Sequence, residues 1–336
     1  MKALLAAATE FAAAIPWELM ADCDLVGMTD PKTEETRLAS VLGNGGEVFG
    51  AVFYRRPAGL HWILNMLESP DFCTDLDVME GMDCLKVELV PQKYMLKEDL
   101  ALLKTFNFKP SARGQGWPQF QSTVPGWMPW FIDQTEAEQL LADLPRLAKF
   151  HELFRRNPDL YKNHLDGEIP MLPNPMPDRP LVEADLEWRS FLSIPSPYEP
   201  FRALDQQLTQ LRSLKREPKF SCEYGCKIMS GSVLDKGRPC FGRVSLLVEH
   251  QRGFVLGYEL SLGTAPLSES AGLGLVTTLM KNGFLPGKLL IDDLRLEPIL
   301  QPICDALQIK LLLAYDLDFL TGAADSLAGF MQTGPR

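Results

Sequence analysis

Between Asn163 and Trp188 the chain reads NHLDGEIPMLPNPMPDRPLVEADLEW. Pro170, Pro173, Pro175, Pro177 and Pro180 each remove a backbone donor and push the preceding residue toward extended geometry. Neither a helix nor a central strand is expected to run through them. The stretch predicts a linker of polyproline-like conformation over residues 161–187, with an N-terminal domain at 1–160 and a C-terminal domain at 188–336. Length agrees, since 336 residues exceed what one core usually serves.

The balance of 46% hydrophobic and 23% charged residues is that of an ordinary globular chain, which sets aside disordered and fibrous classes. A formal charge of −11 argues against general nucleic-acid binding, because phosphate affinity comes from clustered Lys and Arg, and no basic run is present. The opening MKALLAAATEFAAAIPWELM has a short apolar run broken by Glu10, and reads as a helix ending at Pro16 in preference to a secretion signal. No window reaches the ~20 apolar residues of a membrane span. A cytoplasmic protein is the expectation.

Before the proline stretch, ETRLASVLG and EVFGAVFYR are two β-type runs separated by Asn44, Gly45 and Gly46, a hairpin signal, and Gly50 suggests a bulge or a close backbone approach. GLHWILNML reads as a helix, CLKVELVPQ as a strand, KEDLALLKTF as a helix and PQFQSTVPGWMPWFID as extended. From Gln134 to Arg156, Leu140, Leu141, Leu144, Leu147, Phe150 and Phe154 fall at helical spacing on one apolar face. Trp127 and Trp130 read as core or lid residues. The expected class is α+β.

After the stretch, Phe201 to Arg216 reads as a leucine-faced helix and Phe220 to Met229 as a strand. FGRVSLLVE and GFVLGYELS read as a strand pair turning at His250, Gln251 and Arg252, with Gly253 free to take positive φ. LSESAGLGLVTTLMKNG reads as a helix with Ser268 as N-cap and Gly283 as its stop. KLLID is a wholly apolar strand, as expected where both sheet faces are covered. A helix near Pro298, the strand IKLLLAY and a last helix from Leu317 to Phe330 follow. The expected class is α/β, a mixed sheet flanked by helices.

The chain lacks a G-x-S-x-G elbow, a P-loop and an H-E-x-x-H pair. Its four histidines are dispersed, and His61 and His151 fall on predicted helices. Seven cysteines, an odd number spread along the chain, do not form a disulfide framework. Cys222, Cys226 and Cys240 have a spacing that raises zinc, but a structural site needs a fourth ligand, so strand thiols are the expectation.

Three strands, then helix, strand, helix, strand, helix is an order that resembles the ribonuclease-H-like fold of integrase and transposase cores. SLLVEHQRGFVLGYEL is similar to their second-to-third-strand hairpin, and PGKLLIDD to the strand that ends at the second catalytic aspartate. The whole chain also resembles a bacterial family of two tandem domains of unknown function, with GNGGEVFGAVFYRRPAGL in the first domain and that hairpin in the second. The resemblance implies Glu223, Asp292 and Asp325 as the acid set, with Asp292 and Asp293 as metal ligands. Two-metal phosphoryl transfer needs such carboxylates to converge around ions ~3.5–4 Å apart. However, transposase cores carry Asp on the first strand and usually Glu on the last helix, so Glu223 and Asp325 reverse both lengths. Asp292 and Asp293 also suit a plainer role, accepting free backbone N–H groups where a strand meets water. The expectation is therefore a non-enzymatic binding protein with a degenerate site, no cofactor, and a protein or small ligand as partner. A magnesium-dependent nuclease or transposase-like enzyme is the alternative.

Overall fold

The computed structural model describes residues 1–68, 80–110, 116–165, 167–191, 196–314 and 316–333. The chain divides into two units, Met1–Phe72 with Gly81–Val124 and Pro129–Pro195, and Cys73–Glu80 with Pro125–Met128 and Ser196–Arg336. The long division thus falls after Pro195 and not within the proline-rich stretch.

The first unit is built on an eight-stranded sheet. Its elements are α1 (Lys2–Ala13), β1 (Val26–Thr29), β2 (Thr36–Leu42), β3 (Phe49–Tyr54), α2 (Arg56–Glu68), β4 (Cys84–Val90), α3 (Lys97–Thr105), β5 (Trp117–Thr123), β6 (Trp130–Phe131), α4 (Gln134–Arg156), β7 (Glu168–Met171) and β8 (Glu187–Ser190). The strand order is β6-β5-β4-β3-β2-β1-β7-β8. The pairs are antiparallel except β1 with β7. The expected linker is corrected here. Gly27 pairs with Met171, and Leu172 donates its N–H to Gly27 O at 2.8 Å, so proline-bearing backbone finishes the sheet. Pro170 and its neighbours fit because a short parallel pair near the sheet margin asks for few donors.

Period-two alternation puts Ala39, Val41, Ala51, Phe53, Leu85 and Val87 on one face, where they form a core with α1 and α4. Asp133 starts α4 with a reciprocal cap: its carboxylate accepts Glu136 N–H at 2.8 Å, and Glu136 accepts Asp133 N–H at 3.0 Å. Leu141, expected on the buried face, is exposed. At Gly50, an added Cβ would lie 2.1 Å from Val87 O, so the close-approach reading holds.

The second unit carries a five-stranded sheet in the order β11-β10-β9-β12-β13. Its elements are α5 (Asp205–Arg212), β9 (Lys215–Asp235), β10 (Arg238–Glu249), β11 (Val255–Leu262), α6 (Leu267–Asn282), β12 (Phe284–Ile291), α7 (Leu296–Leu307), β13 (Lys310–Leu313) and α8 (Asp318–Thr333). β9 is antiparallel to β10 and parallel to β12, which is parallel to β13. The expected helix over 201–216 stops early because the 21-residue β9 begins at Lys215. Cys222, Tyr224, Leu289 and Ile291 face a core with α6 and α7. Val244, Leu246, Val248 and Leu290 face the other way, against Leu317 and Leu320 at the start of α8. Helix α6 begins at Leu267 after Pro266, so Ser268 lies inside it and is not its cap; Gly283 ends it at φ 72°.

Candidate functional site

In an open α/β sheet, ligands gather beyond the carboxyl ends of the parallel strands. Here that place is the end of β12, where Ile291 hands over to Asp292 and Asp293. Alternation sends the two aspartates to opposite faces. Asp292 continues the row of Leu290, on the α8 side, and meets Lys227 Nζ at 2.6 Å. Its other oxygen, Oδ1, is buried.

Asp293 lies on the α7 side. Its carboxylate accepts the Arg295 backbone N–H at 2.9 Å, so it caps the turn into α7, and it also accepts the Arg295 guanidinium at 2.8–3.1 Å. Burial alone would push this carboxyl up, but the charge and hydrogen bonds of Arg295, helped by Lys227, hold it below the usual range. Arg295 also pairs with Glu80 at 2.8 Å. Glu80 in turn holds Arg243, at 2.8 Å in their closest approach. Arg243 spends its remaining donors on Gly263 O, Ala265 O and Ser270 Oγ. Three acids, Glu80, Asp292 and Asp293, therefore face three cations, Lys227, Arg243 and Arg295.

Glu223 lies on β9, on the same face as Asp292, and is 1% exposed. Both of its oxygens are engaged: His250 Nδ1 lies 2.8 Å from Oε1, and Leu320 donates its backbone N–H to Oε2 at 2.8 Å. Asp325 lies on an exposed part of α8. Glu249 closes the hairpin by accepting the N–H groups of Gln251 and Arg252 at 3.0 and 2.6 Å.

Two magnesium ions would need carboxylate oxygens left open toward one point. Lys227 stands where Asp292 would meet such an ion, and Glu223 is turned to a ring nitrogen and a helix start. The residues as placed do not fit that pair of ions. Among the described residues, no group of three or more His, Cys, Asp and Glu is arranged to hold a metal. Cys222 and Cys226 point into the core, and burial pushes both thiols up to about 12; burial also raises Cys240. Buried protonated thiols are poor zinc ligands.

Sequence reasoning gave Lys227, Arg243, Arg295 and Glu80 no role at the site and placed His250 in the hairpin turn without linking it to Glu223. A signal for the first was present, because residues 223, 225 and 227 of one strand share a face. Trp127 pairs its backbone with Cys240 and carries the Arg238 guanidinium 5.0 Å from its ring, whereas Trp130 is exposed. His61 approaches Asn65 at 3.0 Å on α2, and His151 is buried on α4.

No described helix is long and apolar enough to cross a membrane. Neither a curated protein nor a solved structure matches the chain. A second domain of unknown function, DUF6930, matches residues 207–328, over the five-stranded sheet and its helices. The sheet of the first unit, from α1 to β7, falls within residues 2–171, matched by the domain of unknown function DUF7309, and the chain belongs to that family.

Proposed function

We propose that this is a non-enzymatic bacterial cytosolic protein that binds a protein or small ligand, and that its second unit is a ribonuclease-H-like domain whose catalytic acid set has degenerated. The strand order β11-β10-β9-β12-β13, with β9, β12 and β13 parallel, supports the fold assignment. One observation carries the inactive reading: Lys227 Nζ lies 2.6 Å from Asp292, so a fixed cation takes the place where chemistry would need a divalent ion. With a formal charge of −11, the chain is also unsuited to gathering a polyanionic substrate.

Calorimetric titration with Mg2+ and Mn2+, paired with cleavage assays on single- and double-stranded DNA and RNA, tests this. The expected result is no saturable metal binding and no cleavage above that of Asp292→Asn. Lys227→Ala should behave in the same way, because removing the cation does not turn Glu223 away from His250. Saturable binding that Asp292→Asn abolishes, together with cleavage, would overturn the proposal. That outcome would restore the competing reading of a magnesium-dependent nuclease or transposase-like enzyme using Glu223, Asp292 and Asp325.

A further inference from the structure

The carboxyl end of β12 is filled by paired charges, but farther back on the same sheet the fold gathers cations that are not all paired. Arg212, Lys215, Arg216, Lys219, Lys288 and Lys310 meet where β9, β12 and β13 run side by side. Arg212, Arg216 and Lys215 are spent locally. Arg212 donates to Ala306 O at 3.4 Å, and Arg216 to Leu307 O and Gln308 O at 2.9 and 3.1 Å, so both close the end of α7. Lys215 pairs with Glu217 at 2.6 Å. Lys219, Lys288 and Lys310 do none of this. All three are exposed, and among the described residues no hydrogen-bond or ion-pair partner meets their ammonium groups.

Alternation places the three on one face. Phe220, Cys222, Leu289 and Leu311 turn toward the core under α6 and α7, so Lys219, Lys288 and Lys310, each one residue removed, turn the other way. Register sets their spacing. Lys288 is level with Lys310 on one side and with Ser221, two residues beyond Lys219, on the other. With strands about 4.8 Å apart, the row is ~10 Å across and lies open on the sheet surface. Like charges side by side on neighbouring strands repel, and a chain with 44 acidic against 33 basic side chains has carboxylates to spare, yet the row is left unanswered.

We propose that Lys219, Lys288 and Lys310 form a docking surface for an acidic segment of a partner protein. Small-molecule sites are concave, whereas this row is exposed, so it suits a chain in place of a compact ligand. A nucleic-acid strand draws on more cations than these, and the formal charge of −11 opposes it. Carboxylates on one face of a peptide recur every ~5–7 Å, in helical or extended form, which matches the step from one lysine to the next. Attraction of this kind sets encounter rate and partner choice more than raw affinity. The proposal rests on the binding-protein reading above and names the class of its partner.

Fluorescence anisotropy of the full chain with a short rhodamine-labelled Glu-rich peptide, its Gln counterpart and a short oligothymidylate tests it. The Glu peptide is expected to bind at low salt and to be released as salt rises, with the Gln peptide and the oligonucleotide at least ~10-fold weaker. Changing Lys219, Lys288 and Lys310 together to Gln should weaken the Glu peptide ~10-fold or more, whereas Lys281→Gln, whose ammonium pairs with Glu259 on α6's side of the sheet, should leave it unchanged. Lys288→Glu sets opposite charges side by side, so it should remove the binding while its melting temperature stays at or above that of wild type. No binding of the Glu peptide, binding indifferent to the triple variant, or stronger binding of the oligonucleotide would each overturn the proposal. Salt-sensitive self-association of wild type that the triple variant loses would also overturn it, by giving the row to a second copy. None of these outcomes touches the metal titration, and cleavage that depends on Asp292 would strike the binding-protein reading without altering the peptide result.

Discussion

Each unit buries a cluster of opposite charges, and the two clusters differ in where the sheet puts them. In the first unit, Arg37 is 1% exposed and lies on the inner face of β2; it donates to Asp143 on α4 at 2.7 and 3.2 Å and to Asp30 at 2.9 Å. Arg146 adds a second cation beside Asp143 at 3.5 Å. In the second unit, Arg295 and Arg243 answer Asp293 and Glu80 on the α7 side of the β12 end, and Lys227 answers Asp292 on the α8 side. Both sets are balanced, so charge count does not separate them. Position does: the Arg37 cluster ties the turn end of the antiparallel β1–β2 pair to α4, whereas the Arg295 cluster follows the carboxyl end of the parallel strand β12, where open sheets receive ligands.

The sharpest test of this contrast is Arg37→Met. It takes the guanidinium from two carboxylates, one fully buried and left with Arg146 alone, and should destabilise the first unit by ~3–5 kcal/mol, read by hydrogen exchange of amides in β2 and α4. A loss below ~1 kcal/mol would mean that the cluster does not tie sheet to helix. Arg295→Met comes next, at ~2–3 kcal/mol in the amides around the start of α7, because the guanidinium side chain retains 17% exposure and solvent can relax part of the damage. Equal losses in the two variants would erase the distinction drawn from position.

The smallest effect is in acid. Burial pushes the Asp30 carboxyl up, but the N–H groups of Lys32 and Thr33 and the Arg37 guanidinium outweigh it and bring it down to about 2. A depressed carboxyl stabilises above its unfolded value of ~3.9, and that contribution drains away as pH falls toward the folded value. Amide protection in the first unit should therefore decline from about pH 4 to about pH 2, and Asp30→Asn should flatten that slope. An unchanged slope would assign the acid sensitivity to another group.

Much of this architecture was legible from pattern. The second unit follows the expected sequence of elements from β9 to α8, because apolar strands such as KLLID and the amphipathic helices between them have distinct periods. β7 was missed because a pairing with β1, about 140 residues earlier in the chain, leaves no local mark beside Pro170. At the site, Asp292 and Asp293 were found by their place after an apolar run, and their opposite directions follow from alternation. Their partners were not found. Arg243 and Glu80 lie far apart in the sequence and meet only through the fold, and His250 reads as an ordinary turn residue until Glu223 is seen beneath it.

Glu223 also bears on how the chain is made. Its two hydrogen-bond partners lie 27 and 97 residues downstream. On a ribosome, β9 emerges first and His250 soon after, but the Leu320 amide follows only about 70 residues later. Until then the newborn sheet holds a polar group in its middle with half its bonding unmet, which keeps that surface wet and slows premature collapse. Helix α8 then serves as a latch, its first turn supplying the N–H that Glu223 awaits.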